Sequence, residues 1–108
     1  MIVTSPTHNW LEEALAHRSG AVTICSPYVG DYLKKAVSTL DRSVPLTLLT
    51  RTLLSDFATR ASDLDAVHGI AQRTGGILSL SSLHAKVYIV GTDRALVTSA
   101  NATFSGMH

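Results

Sequence analysis

The sequence predicts a single α/β domain: a mixed sheet flanked by helices, in the order α-β-α-β-α-β-β-β. Three observations carry this. Short apolar runs rich in β-formers alternate with stretches of helical periodicity in the first half. Two adjacent strand-like runs separated by Gly91-Thr92-Asp93-Arg94 close the second half. The 108 residues, with no repeat, linker or low-complexity tract, suit one small core.

Each element follows from local chemistry. Asn9-x-x-Glu12 has capping-box spacing, with Ser5-Pro6 an alternative start, and Leu11, Ala14 and Leu15 recur at helical spacing before Gly20. Ala21–Cys25 is a short apolar strand. Ser26-Pro27 ends it and can open a helix carrying Val29, Leu33, Ala36, Val37 and Leu40 on one face, with Lys34 and Lys35 on the other. Pro45 introduces a strand over Leu46–Thr50. Ser62 starts a third helix, with Leu64, Val67 and Ala71 inward and Gly75-Gly76 as its stop. Ile77–Leu80, Leu83–Val90 and Ala95–Ser99 are the remaining strands. Helices between the early strands argue for parallel pairing, and the final hairpin makes the sheet mixed.

Composition excludes several classes. Hydrophobic residues at 45% and charged residues at 16% are ordinary for a folded chain. Ala21–Cys25 and Val87–Val90 are too short to span a bilayer, and the first residues lack the basic and apolar regions of a secretory signal. No membrane association is expected, and the cytoplasm is the default compartment. Cys25 is the single cysteine, so an internal disulfide and a thiolate-rich zinc site are both excluded. A net charge of +1 is no signature of a nucleic-acid binder, although a local patch could suffice.

The informative segment is Leu83-His84-Ala85-Lys86-Val87-Tyr88-Ile89-Val90 with Ala95-Leu96-Val97-Thr98-Ser99-Ala100-Asn101. Strand alternation points His84 and Lys86 one way and Ala85, Val87 and Ile89 the other. A turn that pairs Val90 with Ala95 would set Ser99 opposite Lys86 and Asn101 opposite His84, about 5 Å apart. An imidazole can attack phosphorus and carry the phosphoryl group covalently. A Lys ammonium, a Ser hydroxyl and an Asn amide can donate to the non-bridging oxygens as their charge grows. His84 and Lys86 are therefore the candidate catalytic residues, and Lys86, Ser99 and Asn101 the candidate phosphate-binding set. Singly, each has a structural reading as a solvated or turn-forming residue; convergence is what gives them meaning. No carboxylate is expected at this face, so no magnesium, calcium or other metal, and no cofactor, is implied. Arg51, Arg60 and Arg94 could contact a phosphate backbone or simply be solvated. His17 and His68 fall on predicted helices as surface residues.

His84-Ala85-Lys86 followed by Thr98-Ser99-Ala100-Asn101 resembles the His-x-Lys-Asp motif of phospholipase D-like phosphodiesterases. Ile24-Cys25-Ser26-Pro27-Tyr28-Val29 resembles the Ser-Pro-Tyr strand end of such domains, and Gly75-Gly76-Ile77 leading to the motif is similar to their nuclease-like branch. Three departures stand out. The position of the motif Asp is Gly91, Thr98 stands where Gly is common, and relatives usually continue past the residue matching His108. The resemblance thus implies one motif-bearing half, residues 1–108, C-terminally incomplete or excised from a longer protein with helicase or other domains. It implies a metal-independent DNA endonuclease of a restriction or defence system working through a phosphohistidine. As two motifs normally share a site in this family, it also implies a homodimer. The alternatives are a non-catalytic nucleic-acid-binding or dimerisation module, and a phospholipid headgroup phosphodiesterase or transferase.

Overall fold

The computed structural model describes residues 7–17, 20–99 and 101–108. Its elements are α1 (Thr7–Ala16), β1 (Val22–Cys25), α2 (Asp31–Ser38), β2 (Leu46–Thr50), α3 (Leu54–Ala58) and α4 (Leu64–Thr74). Then come β3 (Leu78–Ser79), β4 (Val87–Val90), β5 (Arg94–Val97) and α5 (Phe104–Met107). The α/β class and the mixed sheet are as the sequence predicts.

The sheet order is β3-β2-β1-β4-β5. β1, β2 and β3 are parallel, while β4 runs antiparallel to both β1 and β5. β5 therefore runs with β1, and β4 alone starts at the edge where the other strands end. Buried side chains alternate along the strands: Val22 and Ile24 on β1, Leu48 and Thr50 on β2, Tyr88 and Val90 on β4, Leu96 on β5. They meet Leu11 and Leu15 of α1, Leu33 and Val37 of α2, and Ala66, Val67 and Ile70 of α4. Helices α4, α2, α5 and α1 touch in that order, forming one layer on this face. The opposite face of the strands carries no buried residue. Among the described residues no helix is long and apolar enough to cross a membrane.

Several predicted boundaries move, each for a local reason. α2 does not open at Ser26-Pro27. Residues 26–30 form no helix: Ser26 Oγ donates to the Tyr28 carbonyl at 2.7 Å and Val29 forms a parallel bridge with Ala102. Val29 is thus buried in a bridge rather than on a helix face. α4 is capped by Asp63, whose carboxylate accepts from the Asp65 and Ala66 N–H groups, one residue later than Ser62. Its inward face is Ala66, Val67 and Ile70, leaving Leu64 exposed. Gly75 closes it at φ 79, the left-handed value expected of a C-terminal glycine.

The hairpin register also shifts. Val90 pairs with Arg94 rather than Ala95, so Tyr88 faces Leu96 and Val87 faces Val97. Gly91 adopts φ 69 and its N–H donates to the Ala21 carbonyl at 2.8 Å. That left-handed residue lets the chain reverse in three residues instead of four, and Arg94 becomes strand. A one-residue shift exchanges every cross-strand partner.

Candidate active site at the carboxyl edge of the sheet

Open α/β sheets bind ligands beyond the carboxyl ends of their strands. Here that edge collects the ends of β1, β2, β3 and β5 with the start of β4. Residues 83–86 precede β4 as irregular chain, so the predicted long strand from Leu83 is only its last half. Leu83 is buried, His84 and Ala85 are exposed, and Lys86 is half-buried. The Lys86 ammonium turns back and donates to the His84 carbonyl at 3.1 Å. This contact ties the two candidate catalytic residues together through the backbone and leaves the imidazole facing solvent.

Ser99 is not opposite Lys86. The register puts Thr98 there, its N–H donating to the Lys86 carbonyl at 3.0 Å, and Ser99 sits exposed in the bend that follows. Asn101 is not opposite His84 either. The chain after β5 leaves β4 and crosses to the end of β1. Ala102 N–H donates to Ser26 Oγ at 2.9 Å, and the Ala102 carbonyl accepts from Gly30 N–H at 2.9 Å. Asn101 is therefore held beside the Ser26–Gly30 segment. α5 closes over it, since a Cβ on Gly106 would run into the Asn101 backbone. Among the described residues, the buried Asn101 Oδ1 has no hydrogen-bond partner. A buried acceptor left unmade costs about 1–3 kcal/mol, which a ligand or water donor would recover. All four candidates thus belong to one edge of the sheet, but on two stitched segments rather than on facing strand positions.

Ser26 and Tyr88 are the residues that sequence reasoning missed. Ser26 is fully buried at the end of β1. Its hydroxyl donates to the Tyr28 carbonyl, accepts from Ala102 N–H, and is hydrogen-bonded to the Tyr88 phenol. Burial raises the Tyr88 phenol above its ordinary value, an effect partly offset by the Ser26 bond. A wholly buried tyrosine needs a partner for its hydroxyl, and the Ser-Pro-Tyr strand end was the available signal. Replacing Ser26 with Ala strands the Ala102 N–H in the interior. We expect a loss of about 2 kcal/mol in urea unfolding, together with faster amide exchange confined to residues 99–103.

The arginines separate. Arg51 gives Nε and Nη2 to the two oxygens of Asp56, each at 3.1 Å, and lies 5.3 Å from the centre of the Tyr28 ring. It braces the edge and is not a free cation awaiting phosphate. Arg94 begins β5 at the opposite end of the sheet from His84. Arg60, at φ 63, lines a concavity of about 770 Å³ with Glu12, Tyr32 and Thr103. There the His8 and His108 rings stack at 4.0 Å, with Tyr32 edge-on to His108 and bonded to Glu12 at 2.9 Å. Burial, and then Glu12, raise the Tyr32 phenol above its ordinary value. His17 and His68 are exposed.

The donor set at the edge is imidazole, ammonium, hydroxyl and amide. Among the described residues no three His, Cys, Asp or Glu side chains converge to hold a metal ion. Comparison with family models, curated proteins and solved structures finds no match to this chain.

Proposed function

We propose that this domain is a phosphodiesterase of the phospholipase D-like kind, acting on DNA with His84 as the nucleophile. The observation that supports it most is the exposed His84 imidazole beside Lys86, whose ammonium donates to the His84 backbone carbonyl, at the carboxyl edge where the chain after β5 also arrives. In the first step an imidazole nitrogen forms a bond to phosphorus and the P–O bond to the leaving alkoxide breaks. Lys86, Ser99 and Asn101 supply the donors for the non-bridging oxygens. Water then attacks the phosphohistidine and frees the imidazole. The leaving alkoxide needs a proton. No second His-x-Lys stands in this sequence, so the matching His84 of a second copy, placed near a two-fold axis, is the proposed donor.

A second reading has its own support. Thr98 occupies the place opposite Lys86, and one of the three N–H donors of the Lys86 ammonium is taken by a backbone carbonyl. A site left so is also what a nucleic-acid-binding or dimerisation module without chemistry would show. Nicking of supercoiled plasmid and of a labelled oligonucleotide in excess EDTA separates the two. The enzyme reading expects cleavage at an undiminished rate in chelator and an acid-labile phosphoprotein on rapid quenching. Cleavage that stops in EDTA and returns with magnesium overturns the mechanism. Binding without cleavage under all conditions favours the second reading.

A further inference from the structure

We propose that the concavity around Arg60 is a second ligand site, taking a small phosphate monoester whose body is planar. Arg60 is the observation that opens it. α3 ends in a cap at Thr59, and the next residue turns left-handed, a place at a helix end that glycine usually fills. Here it is an arginine at φ 63, a conformation costly to a residue with a Cβ and characteristic of functional positions. Its guanidinium is exposed and, among the described residues, holds no hydrogen bond or ion pair. The backbone that presents it is fixed. Arg60 N–H donates to the Phe57 carbonyl at 3.1 Å, and Ser62 N–H to the Asp56 carbonyl at 3.0 Å. The buried Ser62 hydroxyl accepts from Val29 N–H at 2.9 Å, and Asp63 N–H donates to the Val29 carbonyl at 2.8 Å. Gly30 sits so near Thr103 that a Cβ would come within 3.3 Å of the threonine Cα. Three segments distant in sequence thus form one stitched wall, and Gly30, Arg60 and Thr103 all line the concavity.

The polar groups left over select the ligand. Three carboxylates line the concavity, and each already holds a donor. Glu12 takes the Tyr32 phenol, Asp31 the Lys35 ammonium, and Asp63 the Asp65 and Ala66 N–H groups. What remains is donors. Arg60 keeps its guanidinium N–H groups, and Lys35 the two that Asp31 does not take. Thr103 Oγ accepts from Gly106 N–H at 3.1 Å, which leaves its own hydrogen to give. Donors from three segments suit a phosphate, whose terminal oxygens accept from several directions, two of them side by side from a guanidinium. Rings furnish the rest. His8 and His108 stack at 4.0 Å with Tyr32 edge-on to His108, giving an aromatic wall. A volume of about 770 Å³ is that of a small-molecule site and has room for far more than bare phosphate. A planar group joined to the phosphate packs against those rings. None of His84, Lys86, Ser99 and Asn101 lines the concavity, so the inference does not depend on the proposed activity.

Titrating phenyl phosphate into the isotope-labelled chain, followed by amide NMR shifts, tests this, with inorganic phosphate, benzoate and phenol beside it. Phenyl phosphate should bind saturably and shift the amides of Gly30, Tyr32, Arg60 and Thr103. It should bind more tightly than inorganic phosphate or phenol. Arg60→Gln keeps a Cβ at the left-handed position and removes the charge, so affinity should fall at least about tenfold with thermal unfolding unchanged. Arg60→Gly relieves the backbone as well. Its unfolding temperature should rise while its affinity falls, two changes that a purely structural arginine would not combine. Affinity left intact in Arg60→Gln overturns the inference, as does the absence of saturable binding. Benzoate held as tightly as phenyl phosphate overturns the choice of phosphate. Shifts confined to residues 84–86, and lost in His84→Ala, would put the ligand at the carboxyl edge and overturn this site without touching the proposed activity.

Discussion

Replacing His84 with Ala should reduce phosphodiester cleavage at least about a thousandfold, because removing a nucleophile removes the whole reaction path it opens. The side chain is exposed and holds no hydrogen bond through its ring among the described residues, so unfolding free energy should stay within about 0.5 kcal/mol. That contrast makes the variant diagnostic. Activity and stability fall together if the effect is on the fold, and separate if it is on the chemistry. Adding His84→Ala protein to the unaltered chain extends the test to the shared site. Mixed dimers hold one imidazole each, so activity should drop faster than dilution explains. A rate that follows the amount of unaltered chain alone would show that each copy works by itself. Cleavage by purified His84→Ala at the original rate would exclude His84 from the chemistry altogether.

Asp56→Ala should cost about 3 kcal/mol in urea unfolding, the largest stability effect expected of any polar side chain here. Asp56 is buried and grips Arg51 side-on at 3.1 Å through both oxygens. Removing the carboxylate leaves a guanidinium with 16% of its side chain exposed and no counter-charge. The double variant Asp56→Ala/Arg51→Met removes the stranded charge as well and should recover most of the loss. If the two substitutions simply add, the pair is not coupled and the edge is braced by something else. Because Arg51 also lies over the Tyr28 ring, Asp56→Ala should loosen the Ser26–Gly30 segment. Faster amide exchange there would report it.

Much of this architecture was legible in the residues. β2 falls on Leu46–Thr50 as the apolar run predicts, α4 ends at Gly75, and the alternation of β4 separates Val87 and Ile89 from Tyr88 and Val90. α3 and α5 were not legible, having too few residues for a helical period to register. The alternation could not say which face of β4 is the core, since both are apolar. The hairpin register was out of reach for a different reason. It turns on whether Gly91 adopts a positive φ, and a glycine permits that without announcing it. The facing pairs expected of the hairpin, Ser99 with Lys86 and Asn101 with His84, do not form: Thr98 stands opposite Lys86, and the route of Asn101 depends on the Ser26 hydroxyl, far away in sequence, capturing the Ala102 N–H.

The lone antiparallel strand also sets an order of assembly. β1 is the central strand of the sheet, yet its partner on one side, β4, comes more than sixty residues later, and the bond from Ala102 to Ser26 spans 76 residues. Until residues 87–102 have been synthesised, β1 can close only against β2, and its other edge presents unpaired N–H and C=O groups. An open edge of apolar sequence, Val22-Thr23-Ile24-Cys25, is a template for pairing with any other nascent chain. Ribosome-bound intermediates that stop short of β4 are therefore the stage at which this protein is most exposed to aggregation. Loop closure over that separation adds to the entropic cost of β1–β4 pairing. The carboxyl edge is completed last, so whatever the domain binds or cleaves meets a finished site only after every strand is in place.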